Sequence, residues 1–267
     1  RMREVWTLWE NTRMVVLVAL SAALYAALLI PFKVVVPIIP GFTELRPGNA
    51  IPIICSLAFG PAAAWGSAFG NLIGDFFGTL GPGSIPGFLG NFLYGYVPYK
   101  VWGRMGLLSS GKSPGVGSPR RLVEFLLAAL LASMVCGVVI GWGLDTLRLV
   151  PFAALGNIIF LNNFIVSAIL GPILMGLIYP RLERWGITWG KILGPRAATP
   201  SRFSWLGVSL LWLGAVSGLV LGNMISMGLY ETGFLARGFG TGAVGEMGIA
   251  VGLLPSIVII LLGAALL

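Results

Sequence analysis

The stretch from Phe59 to Gly78, FGPAAAWGSAFGNLIGDFFG, is apolar enough to cross a bilayer, yet it carries Asn71 and Asp75 one helical turn apart. A carboxylate at bilayer depth costs at least a few kcal/mol unless a bundle interior or a cavity receives it, so Asp75 marks a functional position. Three chemistries are open to it: hydrogen bonding to a ligand, holding an ion, or carrying a proton, since an isolated buried carboxyl group favours its neutral form. Beside it run Gly66, Gly70, Gly74 and Gly78 at spacing four, a stripe that lets another helix approach closely.

Further polar residues fall at matching depth in other apolar stretches: Asn49, Asn91, Tyr94, Asn157, Asn162 and Asn163. Asparagine both donates and accepts, so a set of them in a low-dielectric pocket suits recognition of a hydrogen-bonding small molecule with an apolar body. Each one alone could equally staple two helices together. The segment KVVVPIIPGFTELRPG, Lys33 to Gly48, has the composition of a structured cap. In it Glu44 and Arg46 read as a lid over the pocket, with an exposed ion pair as the plainer alternative. Enzymatic chemistry is poorly served: there is no histidine, and no paired carboxylates, activated nucleophile or metal-ligand constellation is visible. Cys55 and Cys136 lie far apart inside apolar spans and read as core residues. Gly106 to Ser113 satisfies the phosphate-loop pattern GxxxxGK[ST], but it follows an apolar span and runs into Pro114 and Gly115, where a working loop follows a strand and opens a helix.

The elements that must position these residues are membrane helices. With 57% hydrophobic and 10% charged residues and a mean hydropathy of +0.94, the chain is a polytopic all-α membrane bundle. At about 20 apolar residues per crossing, helices are expected near 14–32, 49–60, 62–80, 85–102, 122–142, 152–179, 204–227 and 247–267. Thirteen of the seventeen Lys and Arg residues fall on one side of this arrangement; Lys33, Arg46, Arg148 and Arg237 fall on the other. The positive-inside tendency then places both termini in the cytoplasm and the Asn set in the outer half. The net charge of +8 is thereby explained by topology, so no nucleic-acid partner is expected. Trp6, Trp9, Trp102, Trp185 and Trp189 gather at the cytoplasmic side as an aromatic belt. Residues 186–203 form a basic linker that divides a core, 1–185, from a further helical pair, 204–267. Across it, Arg121 to Gly141 echoes Arg202 to Gly222 at several Leu, Val and Gly positions, an expected but cheap sign of duplication.

The Ala-rich first helix, the run Arg46-Pro-Gly-Asn-Ala-Ile-Pro52, the turn Phe59-Gly-Pro61 and the series Gly66, Gly70-Asn71, Gly74-Asp75 resemble the substrate-binding S components of energy-coupling factor (ECF) importers. The resemblance covers about residues 14–180. It implies a six-helix subunit in a prokaryotic cell membrane that captures a vitamin or similar micronutrient from outside, under the loop after the first helix. It also implies separate cytoplasmic ATPases joined through a transmembrane scaffold subunit, which would dock on Ala19, Ala23 and Ala27. No cofactor is implied. The chain departs from the pattern in its two extra helices, and it lacks the N-terminal histidine on which metal-importing relatives depend. The competing expectation is a secondary transporter in which Asp75 couples uptake to protons.

Overall fold

A computed structural model describes residues 3–35, 37–39, 42–44, 46–194, 202–229 and 247–267. Its helices are α1 (Arg3–Thr7), α2 (Thr12–Val35), α3 (Ala50–Phe59), α4 (Pro61–Asp75), α5 (Ser84–Val101), α6 (Pro119–Thr146), α7 (Phe152–Trp185), α8 (Trp189–Leu193), α9 (Ser204–Ser226), α10 (Met247–Gly252) and α11 (Leu254–Leu266). Between α2 and α3 lie two short antiparallel strands, β1 (Pro37–Ile39) and β2 (Thr43–Glu44). The stretches Thr12–Lys33, Pro119–Thr146, Phe152–Leu193 and Ser204–Ser226 are long and apolar enough to cross a membrane. The protein is a multi-span helical membrane protein.

Local chemistry sets the ends of these helices. Ser118 caps α6, its side chain accepting from the Arg121 amide, and Pro119 supplies a preset first helical residue. At the far end of α7, Gly186 takes a left-handed conformation and the Ile187 amide bonds back to the Leu182 carbonyl. Gly60, with φ of +55°, turns α3 directly into α4, and its missing side chain leaves room for the Trp189 ring. Where a helix is expected over 62–80, α4 stops at Asp75: the backbone breaks into turns and reaches φ of +133° at Gly78 before the Gly- and Pro-rich run to Gly83. The expected last helix is likewise divided, ending α10 at Gly252 and restarting with Pro255 in the first turn of α11.

α6 is the central post: 78% of its most apolar window is buried, against 28–39% for the other three long spans. α4 to α7 pack as successive neighbours, α2 lies along α4, and α3 packs against α5 and α7. The apolar residues left outside form stripes. Leu161, Ile165, Ile169, Ile173 and Leu177 recur every fourth residue on the exposed side of α7, as a lipid-facing helix requires.

The glycine stripe works as a groove for α2. A Cβ built on Gly66 would lie 2.4 Å from the Ser21 Cβ, and one on Gly70 would lie 2.9 Å from the Ala22 carbonyl oxygen. The buried small residues Ser21, Ala22 and Ala26 therefore face α4, whereas Ala19, Ala23 and Ala27 lie on the exposed side of α2.

α9 and α11 pair with each other and lie on α6, with α9 also touching α7. Both ends of this added pair are tied to the rest. The Ser226 hydroxyl accepts from the Ala153 amide, while Tyr96 donates to the Ala264 carbonyl and Lys100 to that of Leu267.

Candidate functional site

The ends of α4, α5, α6 and α7 away from the basic loops diverge around a cavity of about 240 Å³. Phe42 and Arg46 from the α2–α3 connection lie over it, and the 78–83 turn closes one flank. Its apolar walls come mainly from α6 and α7, including Ile140, Leu144, Leu155 and Ile159. Six of the residues expected at the site line it: Arg46, Asn71, Asp75, Asn91, Asn162 and Asn163.

One polar chain runs along the α4 side. Arg46 Nη1 donates to Asn71 Oδ1 at 2.9 Å, and Asn71 Nδ2 donates to Asp75 Oδ2 at 3.3 Å. Asp75 does not stand alone. Lys33, at the end of α2, holds its Oδ1 at 3.0 Å, and the Thr79 hydroxyl donates to the same oxygen at 2.9 Å. Lys33 also bonds to Thr79, so ammonium, hydroxyl and carboxylate form a closed triangle. The buried charge is thus compensated within the chain, as buried carboxylates require.

A second network lies behind the cavity. The Tyr25 hydroxyl reaches Asn49 Oδ1 at 3.0 Å and Asn91 Oδ1 at 3.1 Å, and Asn49 Nδ2 donates to Asn163 Oδ1 at 2.6 Å. Tyr94 donates its hydroxyl to the Asn49 carbonyl at 2.9 Å and lies 2.7 Å from the Ser167 hydroxyl. Asn49 and Tyr94 therefore hold the wall residue Asn163 from behind it, while Tyr25 and the Gly87 carbonyl hold Asn91. Such fully engaged amides fix which atom faces the cavity. The Arg46 backbone amide also reaches Asn162 Oδ1 at 3.4 Å, so this one residue bridges α4 and α7 across the mouth.

Asn157 has a different setting. Its amide exchanges hydrogen bonds with Asn223 of α9 at 2.5 and 3.0 Å, outside the cavity. The side chain of Glu44 lies outside the described residues; its backbone belongs to β2. Sequence reasoning missed Lys33, Tyr25, Thr79 and Ser167. Lys33 entered it as a topology marker, although a lysine closing an apolar helix on the same side as an embedded acid was itself a signal.

The phosphate-loop pattern has an internal explanation. Glu124, buried at the start of α6, accepts from the Gly103 and Ser110 amides at 2.7 Å each and from the Ser109 hydroxyl at 3.0 Å. The Glu124 carboxylate takes the Ser110 amide and the Ser109 hydroxyl of this loop, and α6 begins only at Pro119, so the loop does not open a helix as a phosphate cradle requires. Among the described residues, no group of three or more His, Cys, Asp or Glu is placed to hold a metal ion.

The model of the QueT transporter family matches residues 15–180. The chain belongs to this family. No curated protein and no solved structure gives a match. Membership makes the protein a membrane transport protein, and the QueT match encloses every residue that lines the cavity, from Phe42 to Asn163. The added helices α9 to α11 lie beyond the segment matched to the QueT family.

Proposed function

We propose that this QueT-family chain is the substrate-capture subunit of an ECF-type importer, binding a compact heterocycle from outside the cell in the cavity beneath Arg46. The observation that carries the reading is the cavity's construction. A wall of oriented amides faces an apolar wall, and one charged residue of the connecting loop spans the opening. At about 240 Å³ it falls below the ~300 Å³ at which drug-sized pockets begin, which suits a single fused-ring molecule. Such a ring would lie against Ile140, Leu144 and Ile159 and exchange edge hydrogen bonds with Asn71, Asp75 and Asn163. Among compact heterocycles, precursors of the modified nucleoside queuosine are the first to test.

The charge distribution supports an outward-facing cavity. Arg104, Lys112, Arg120, Arg121, Arg181, Arg184 and Lys191 all belong to the opposite end, which the positive-inside tendency assigns to the cytoplasm together with both termini. The exposed Ala19, Ala23 and Ala27 give a scaffold subunit a smooth helical face on which to pack, and ATP hydrolysis belongs to separate cytoplasmic subunits. The Lys33–Asp75 pair favours this reading over proton coupling through Asp75, because the acid's charge is balanced in place by a fixed ammonium.

Reconstitution separates the two. In proteoliposomes the chain alone should bind heterocycle saturably without ATP or an ion gradient and accumulate none of it. Accumulation should appear only with scaffold and ATPase subunits plus ATP. Undiminished uptake by the chain alone, driven by a proton gradient and abolished by Asp75→Asn, would establish the secondary-transporter alternative.

A further inference from the structure

At the basic end of the bundle a second cavity, of about 360 Å³, opens between the ends of α5 and α7 and the short helix α8. We propose that it is a binding site for the phosphate headgroup of an anionic phospholipid. Arg104, just past the end of α5, lines this cavity, and its guanidinium Nη1 is buried with no hydrogen-bond partner among the described residues. An unmet buried donor on a charged group is costly, and a phosphate oxygen supplies the strong charge-assisted acceptor it lacks.

The local charge count points the same way. Glu4, the acid whose charge acts on Arg104, is already held by Lys100 in an ion pair, and the wall residues Glu183 and Lys191 carry opposite charges, Lys191 donating to the Glu183 backbone carbonyl. With Arg104 the group carries one positive charge in excess. The walls are those of an interface: Trp102 and Trp189 flank the cavity beside apolar Leu57 and Pro114. Trp189 is fixed there, its ring 5.4 Å from that of Tyr99 and seated over Gly60. Tryptophans at headgroup depth and basic pockets between helix ends are the two features by which helical membrane proteins hold anionic lipids.

The test is thermal unfolding of the purified full chain in detergent, with phosphatidylglycerol, phosphatidylcholine of the same acyl chains, or inorganic phosphate added. Phosphatidylglycerol should raise the Tm by several degrees more than phosphatidylcholine. Arg104→Gln and the exposed Lys191→Gln should each remove at least half of that difference, and exposed Arg184→Gln should leave it intact. Native mass spectrometry of the wild type should show retained phosphatidylglycerol, which keeps the proposal testable if Arg104→Gln fails to fold. Equal shifts with both lipids, or an anionic preference that survives both variants, would overturn the site. A full shift with inorganic phosphate alone would replace the lipid by a soluble anion and equally overturn the proposal.

Discussion

Lys33→Met is expected to destabilise the protein by about 3–5 kcal/mol, the cost of leaving one partner of a buried ion pair uncompensated. Both side chains are almost fully buried, and without Lys33 the Asp75 carboxylate keeps, among the described residues, the Thr79 hydroxyl and the Asn71 amide. The loss should spread to ligand binding, because Asn71 is held between Asp75 and Arg46 and Arg46 bridges the mouth. Adding Asp75→Asn to Lys33→Met removes the stranded charge and should recover more than half of the lost stability. Denaturant titration of the single and double variants in detergent measures both numbers. A single variant within about 1 kcal/mol of the wild type would show that the pair does not hold the site together.

The second large effect belongs to the groove between α2 and α4. Gly66→Val should cost about 3 kcal/mol, the upper part of the range for overpacking a close contact. Even the first added carbon would lie 2.4 Å from the Ser21 Cβ and 3.1–3.2 Å from backbone atoms of Val18 and Ala22, none of which is the mobile end of a side chain. Gly81→Ala is the matched control, since an added Cβ there meets nothing within 4 Å; it should change stability by less than about 0.5 kcal/mol. The same titration distinguishes them, and equal effects at the two positions would contradict a helix groove at Gly66.

These two predictions also mark what the sequence made legible. Spacing four among Gly66, Gly70 and Gly74 announces close packing, and two of the three do meet the α2 backbone or Cβ atoms within 3.0 Å. Gly78 fits the arithmetic but lies beyond the helix, because periodicity does not mark where turn-forming Gly and Pro end it. Depth along a helix is readable from residue number, which is why Asn71, Asp75, Asn91, Asn162 and Asn163 meet around one cavity. Direction around a helix is harder when all its faces are apolar. Asn157 sits five residues before Asn162, yet it points to Asn223 across the α7–α9 contact. The alanines of α2 divide in the same way, with Ala22 and Ala26 buried against α4 and Ala19, Ala23 and Ala27 exposed. Lys33 and Asp75 are 42 residues apart, and only the fold makes them neighbours.

Ligand binding by a variant that fills the cavity tests the capture site most directly. Gly87 of α5 lines the cavity, and a Cβ added there would lie 3.3 Å from Asn71 Nδ2 and 3.9 Å from Asp75 Oδ2, so a leucine side chain would project into the ligand's space. Calorimetric titration of the purified chain with purine-like heterocycles, without ATP, should give one saturable site in the wild type. Gly87→Leu should bind at least 100-fold more weakly while unfolding at the wild-type temperature. Wild-type affinity in a folded Gly87→Leu protein would place the substrate elsewhere and contradict the account.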